Sequence, residues 1–531
     1  MKNRKVLIGG AWPYANSSLH LGHMAGLLAG DFLARYHRQI GDDVLYVSGS
    51  DCHGTPITER AKREGRTPED ISEYYHEEFV KTFDSVNFSY DLYAKTSNDY
   101  HKEKVMELFR KMYDNGYIQE QLDLQPYCEK CNKFMVDREL ELICPICGKE
   151  SKGDQCDCGY VPTVEDMKGA ICQTCKEEVV LKENKNLYLK LSKLQSKIEE
   201  YTNQNEGNWR TISRTETTKY LTEGLRDRAV TRDIDWGVNI PVEGYENKRM
   251  YVWIEAVLGY VTTVQKYCEE NKLNWEDFWK ENGINKIYMV HGKDNITFHT
   301  IILPGLLLAA EDGYHLPDVM VSSQYLNINS EKISKSKGNG ITIEEMIKEY
   351  NVDSLRYFLL NNGPEKKDSN FSLEEFALVH NADITNKYGN FVNRTLRYKG
   401  LEEVPNGKMD ETIKQIIDET YIQVAKDIEE LEFKKAIVRI IVLVETGNKY
   451  YDDMKPWIQK KENEEGFNNT IYTCTNIIAN LSNLLEPIMP KSSQAIREYL
   501  DIDKPSWKQI SVHQGIKLEN VSPLFERINI S

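Results

Sequence analysis

The sequence predicts an α/β protein in which a parallel, doubly wound sheet carries a cysteine-rich insertion and is followed by an all-α helix bundle. Three observations carry this. An apolar run, Val6-Leu7-Ile8-Gly9-Gly10, a helix-like stretch from Leu21 to Gln39 and a second apolar run from Val44 to Gly49 form a β-α-β opening. Eight of the eleven cysteines crowd between Cys128 and Cys175. From about Leu373 onward, helical periodicity dominates, with long amphipathic stretches at Thr412 to Leu431 and Lys434 to Tyr450.

The first strand leads into His20-Leu21-Gly22-His23 at the start of the first helix. Two imidazoles three residues apart share one face of a first turn, beside free backbone N–H groups and the positive end of the helix dipole, which makes a phosphate site. Gly22 has no side chain, so a flat base can lie against the backbone there. A helical tract, Asp99 to Asn115, leads into the cysteine insertion. The sheet is expected to resume over Arg249 to Tyr260, with a further strand at Ile287 to His291 ending in Gly292-Lys293-Asp294. Lys332-Ile333-Ser334-Lys335-Ser336 then places two ammonium groups on a polar loop running into Gly338-Asn339-Gly340, a setting suited to clamping a triphosphate. Thr342 to Leu360 reads as two short helices.

The 531-residue length is too great for one ordinary core and predicts three or four modules. A net charge of −16 argues against non-specific coating of nucleic acid. It leaves room for local basic patches such as Lys332, Lys335 and Lys337, or Arg394, Arg397 and Lys399. The longest apolar run, Ile301 to Ala310, contains Pro304 and Gly305 and is too short to span a bilayer. No signal peptide is expected, and the expected compartment is the cytoplasm.

The insertion cysteines form Cys128-x-x-Cys131, Cys144-x-x-Cys147, Cys156-x-Cys158 and Cys172-x-x-Cys175. In a cytosolic chain such turns favour thiolate coordination of Zn²⁺ over disulfides, and four of them allow up to two structural sites. Asp157 alone separates Cys156 from Cys158, a strained spacing for binding one metal.

The pair formed by the His20–His23 and Lys332–Ser336 motifs resembles the two signatures of class I aminoacyl-tRNA synthetases. Ala11-Trp12-Pro13-Tyr14-Ala15-Asn16, Asp51-Cys52-His53-Gly54-Thr55-Pro56-Ile57, Tyr251-Val252-Trp253, Phe298-His299 and Lys455-Pro456-Trp457 are similar to the methionyl-tRNA synthetases. This resemblance runs through nearly the whole chain. It implies a Rossmann-like catalytic domain in two halves, 1–117 and 241–325, around a connective zinc-knuckle insertion at 118–240. A loop and stem-contact region at 326–375 and a helical anticodon-binding domain at 376–531 would follow. It also implies nested zinc ligation, with Cys144, Cys147, Cys156 and Cys158 around an inner ion and Cys128, Cys131, Cys172 and Cys175 around an outer one.

By the same resemblance the substrates are L-methionine, ATP with Mg²⁺, and tRNA(Met); a monomer is expected because no further domain is appended to the helical C-terminal part. His20, His23, Lys332 and Lys335 would be catalytic, with Gly22, Lys293, Asp294 and Arg232 also at the nucleotide. Asp51 would pair with the α-ammonium of methionine, and Ala11, Trp12, Tyr14, Trp253, Ala256, Tyr260 and His299 would line its side-chain pocket. Asn386, Asn390 and Arg394, repeating every four residues, would read the anticodon together with Pro456 and Trp457. Some positions depart from the commonest family pattern: Trp12 stands for leucine, Glu255 for aspartate, Val257 for proline, and Asn295 and Leu303 for isoleucine and tryptophan. A synthetase for cysteine, a silent RNA-binding relative and a nucleotidyltransferase without tRNA are the competing readings. Against them stand, in turn, the all-cysteine lobe, the intact histidine and lysine motifs, and the long helical C-terminal part.

Overall fold

Val6, Leu7 and Ile8 have no exposed surface, because the strand that holds them lies at the centre of a sheet covered by helices on both faces. The computed structural model describes residues 4–135, 139–153, 156, 160, 162–280, 285–329, 331–332 and 340–529, with the backbone alone at 285, 331 and 332. Its main sheet contains β1 (Lys5–Gly10), β2 (Asp43–Ser50), β3 (Leu92–Lys95), β4 (Asn285–Gly292) and β5 (Val319–Ser323). All four pairings are parallel, in the order β5-β4-β1-β2-β3. The chain therefore reverses its direction of growth between β1 and β4, and a crevice opens at the carboxyl ends of these two strands.

The first helix, α1 (Leu21–Ile40), follows β1 and ends on Gly41 in the left-handed region, φ 92°. The Asp99–Asp114 helix, α2, leads into the insertion as expected. The run from Arg249 to Tyr260 does not rejoin the sheet. Arg249–Met250 pairs with Thr231–Arg232 in a separate two-stranded ribbon, and Val252–Glu270 is a helix, α3. This helix is enclosed by β2 and α2, so its apolar residues wrap around it and imitate a buried strand.

A long antiparallel pair, Ile118–Cys128 with Val180–Leu189, carries the cysteine lobe. Beyond the sheet, Ile343–Glu349 and Val352–Asn361 are the two short helices expected there. The C-terminal bundle is built from Glu411–Glu429, Phe433–Met454, Glu464–Leu485 and Pro490–Tyr499, around buried residues including Ile437, Ile440, Ile478 and Leu481.

A buried ionic cluster joins this bundle to α1. Arg356, fully buried, reaches Asp31 at 2.5 Å and the carbonyls of Pro487 and Ile488 at 3.1 and 2.9 Å. Arg35 links Asp31 at 2.8 Å to Glu486 at 2.9 Å. Burial alone would raise the Asp31 carboxyl, but the Arg35 and Arg356 guanidiniums outweigh it and hold it well below the usual carboxylate range. Its stabilising contribution is complete above the unfolded value near 3.8 and is lost as pH falls through the folded one. The helix that bears the two motif histidines is thus fixed at its middle by the C-terminal bundle.

Candidate active site

The first motif forms the N-terminus of α1, with His20 as the capping residue rather than a member of the first turn. His20 Nδ1 accepts from the Gly22 N–H at 3.1 Å, and His23 Nδ1 accepts from the His20 N–H at 3.1 Å. Each neutral ring must then carry its proton on Nε2. The rings stack with centroids 3.8 Å apart. Two imidazole N–H donors and the helix dipole therefore share one site, which suits a phosphate.

That site opens into a cavity of about 310 Å³ at the switch between β1 and β4, bordered by Trp12, His20, Gly22, His23, Asp294 and Tyr325, among others. Ala11 also lines it. The segment following the second motif closes one side: Leu21 N–H donates to the Ile341 carbonyl at 3.1 Å, and Ile343 N–H to that of Leu19 at 3.1 Å. The fold thus brings the segment that follows the second motif against the first motif through backbone hydrogen bonds. Lys332 ends a two-residue strand paired with Leu326–Ile328, while its side chain, together with Ile333, Lys335, Ser336 and Lys337, lies outside the described residues.

The aromatic residues converge beside this cavity. Trp253 Nε1 donates to Tyr14 Oη, and the Trp253 ring meets Phe298 edge to face at 4.0 Å. Phe298 was not singled out by the sequence alone, although its place beside His299 in a π-helical turn, Phe298–Ile302, is a frequent mark of functional sites. Tyr260 Oη lies 2.8 Å from His299 Nε2, and His291 stacks on His299 at 4.2 Å. Ala256, also buried, lies in the second turn of α3, between Trp253 and Tyr260 in the chain.

Asp51 follows β2 directly and is buried. Its Oδ1 accepts from the His53 N–H at 3.2 Å. Glu255 stands behind it, fully buried, with Oε1 2.7 Å from His53 Nδ1 and Oε2 2.8 Å from His101 Nε2. Burial works against the Glu255 charge, yet the two imidazoles outweigh it and hold its carboxyl below the usual value. Burial, reinforced by the Glu255 charge, pushes the Asp51 carboxyl well above its usual range. A buried carboxyl in this state gains from a cationic ligand, which favours its ionised form.

The weaker nucleotide candidates divide. Asp294 borders the cavity and accepts from Tyr325 Oη. Lys293 pairs with Asp368 at 2.7 Å and sits 3.7 Å over the Tyr325 ring. Arg232 stacks on Tyr251 at 4.0 Å and is not among the residues that line the cavity.

Residues 6–396 match the family model described as tRNA synthetases class I (M), and residues 402–528 match the anticodon binding domain of methionyl tRNA ligase. The chain belongs to the methionyl-tRNA synthetase family. A methionine–tRNA ligase of Alkaliphilus oremlandii is 44% identical over 529 residues, covering 99% of this chain and 97% of the relative. One from Bacillus mycoides is 44% identical over 533 residues, with 99% and 97% coverage. Among solved structures, the methionyl-tRNA synthetase of Mycobacterium tuberculosis in complex with methionyl-adenylate has a similar fold, with TM-score 0.81 and 24% identity over 99% of this chain and 100% of that one.

In this synthetase the insertion gathers Cys128, Cys131, Cys172 and Cys175, whose sulfurs all lie within 4.8 Å of one another. Cys128 and Cys175 sulfurs are 3.4 Å apart, and those of Cys131 and Cys172 3.8 Å. A tetrahedral Zn²⁺ with bonds near 2.3 Å needs sulfur separations of about 3.8 Å, so the donor set fits this metal and leaves no open position for catalysis. Cys144, Cys147 and Cys156 form a second cluster, while Cys158, the expected fourth member, lies outside the described residues.

In the C-terminal part of the synthetase, Arg394 stacks 4.2 Å over Tyr451, whose ring is 6.2 Å from Trp457. Arg394 also pairs with Asp452 at 2.7 Å. Trp457 is 47% exposed on a short helix, Pro456–Glu462, so one face can receive a base. Asn386 and Asn390 are exposed. The four-residue repeat that links them crosses from a π-helical segment, His380–Gly389, into an α-helix, Asn390–Leu396, so the expected single straight stripe is turned at that junction. Among the described residues no helix is long and apolar enough to cross a membrane.

Proposed function

We propose that this synthetase activates L-methionine with ATP, forming methionyl-adenylate and pyrophosphate, and transfers the methionyl group to tRNA(Met). The observation that carries the reading is the meeting of a histidine-capped helix N-terminus, an aromatic cluster and Asp51 at the carboxyl ends of β1, β2 and β4.

Asp51 receives the α-ammonium, and the aromatic group takes the thioether side chain. A methionine carboxylate oxygen attacks the α-phosphorus of ATP, the bond from that phosphorus to the bridging oxygen breaks, and pyrophosphate leaves. Little proton transfer is needed, so catalysis is positioning and charge neutralisation. His20 and His23 donate through Nε2 to the phosphates, Asp294 helps hold the nucleotide, and Lys332 and Lys335 address the leaving pyrophosphate. Mg²⁺ brought with ATP supplies further neutralisation of the phosphate charge. A terminal adenosine hydroxyl of tRNA then attacks the acyl carbon, and AMP leaves. Zn²⁺ at the four-cysteine cluster keeps the insertion folded. The working unit is proposed to be a cytoplasmic monomer.

Residues 376–531 are assigned to the anticodon, with Trp457 stacking an unstacked base beside Arg394 and Tyr451. Trp457→Ala is expected to lower tRNA charging by about 10- to 100-fold while leaving tRNA-independent ATP–pyrophosphate exchange unchanged. Equal charging by the folded variant would remove Trp457 from anticodon reading.

A further inference from the structure

Asp51 is held from two sides. Its backbone is bridged to the segment around Tyr14: Asp51 N–H donates to the Pro13 carbonyl at 2.9 Å, and Ala15 N–H to that of Asp51 at 2.8 Å. Its side chain receives the His53 N–H at Oδ1, and Oδ2 has no partner among the described residues. The ring of that same His53 is fixed by Glu255, which reaches His101 with its other oxygen. One glutamate on α3 thus ties the turn after β2 to the first turn of α2, and Glu255, His53 and His101 are at most 2% exposed.

A carboxylate only accepts, so His53 Nδ1 and His101 Nε2 each point a proton at Glu255. His101 is held in turn by Thr262, with Nδ1 2.8 Å from Oγ1. The His53 ring packs edge to face on Trp236 at 5.3 Å, and its Nε2 has no partner among the described residues. No competing hydrogen bond therefore draws the ring away from Glu255. An aspartate at this position ends one methylene, about 1.5 Å, short and cannot hold both imidazoles from the same backbone.

We propose that Glu255 is a positioning residue for the activation step: it holds the His53 turn that presents Asp51, and its buried charge adds to the pull of Asp51 on the methionine ammonium. The proposal rests on the methionine reading of the site. The charge acts alike on the two cations that Asp51 can take, a proton and an ammonium. Burial and then the Glu255 charge raise the Asp51 carboxyl, and an ammonium that replaces the proton is held more tightly by the same charge. The other ionisable groups around Asp51 are Cys52 and His53 beside it, Tyr14 on the bridged segment and His101 on α2. Cys52 does not titrate near neutral pH, since burial takes its thiol up to about 12.

The test is the pH profile of kcat/KM for methionine in ATP–pyrophosphate exchange. The wild-type profile should rise as Asp51 ionises, and Asp51→Asn should lack that limb. Glu255→Gln should lower the high-pH plateau about tenfold through KM and leave kcat within about twofold. It should also move the limb about one unit to lower pH, so that the two curves meet on the acid side. Loss of packing alone would lower the curve at every pH and leave the limb where it stands. Glu255→Asp keeps the charge and gives up one imidazole, so its limb should stay in place and its plateau fall by no more than about threefold. An unmoved limb in folded Glu255→Gln would overturn the proposal. So would a moved limb or a tenfold lower plateau in Glu255→Asp, which decides the matter if the glutamine variant fails to fold. Wild-type protein without methionine-dependent exchange would instead overturn the methionine reading, before any variant is made.

Discussion

His23→Ala is expected to slow methionyl-adenylate formation by about 10²–10³ while leaving methionine affinity nearly unchanged. The stacked histidines present Nε2 donors because backbone N–H groups occupy both Nδ1 atoms. Losing one such donor removes stabilisation of the charge that develops on the phosphates. The variant also loses the acceptor for the His20 N–H, a capping contact worth about 1 kcal/mol, so its thermal stability should fall only slightly. Single-turnover adenylate formation, with methionine binding measured in parallel, separates these effects. A normal rate in the folded variant would mean that the helix N-terminus does not hold the phosphates.

Asp51→Asn carries the second large effect. Truncating one partner of a buried charge pair costs about 2–5 kcal/mol, so kcat/KM for methionine should drop by roughly 10²–10³ or more. The pH dependence gives a second readout. Because burial and Glu255 raise the Asp51 carboxyl, the unliganded protein retains that proton to higher pH than the unfolded chain does. This group's contribution to stability is full below the unfolded value near 3.8 and is lost as pH rises through the folded one. Pairing with the methionine ammonium favours the ionised form and offsets that loss. Methionine kcat/KM should therefore climb with pH as Asp51 ionises, and the asparagine variant should lack that limb. A variant that kept the wild-type limb would place the titrating group elsewhere.

Much of this arrangement was legible in the sequence. β1, α1 and β2 follow from two short apolar runs flanking a helical period, and the motif histidines sit where a strand turns into a helix. The cysteine turns point to thiolate clusters by spacing alone. The reading of Arg249 to Tyr260 as returning sheet failed because a helix buried on several sides has no polar stripe to reveal its period. β3, at four residues, is too short to stand out. The contact of Glu255 with His53 and His101 was not readable, since the partners lie far apart in the chain and a single histidine on α2 has no spacing signature. Nor could the sequence reveal that Trp12 needs glycine at both 49 and 259, because the space for its ring exists only once β2 and α3 pack together.

The measurement that tests the central claim most directly is ATP–pyrophosphate exchange with each of the twenty amino acids, in the presence of Mg²⁺ and without tRNA. Exchange dependent on methionine is the result predicted, since it requires the histidine-capped phosphate site and the Asp51 pocket to act on one substrate pair. Exchange driven by another amino acid, or none from folded, zinc-loaded protein, would contradict it.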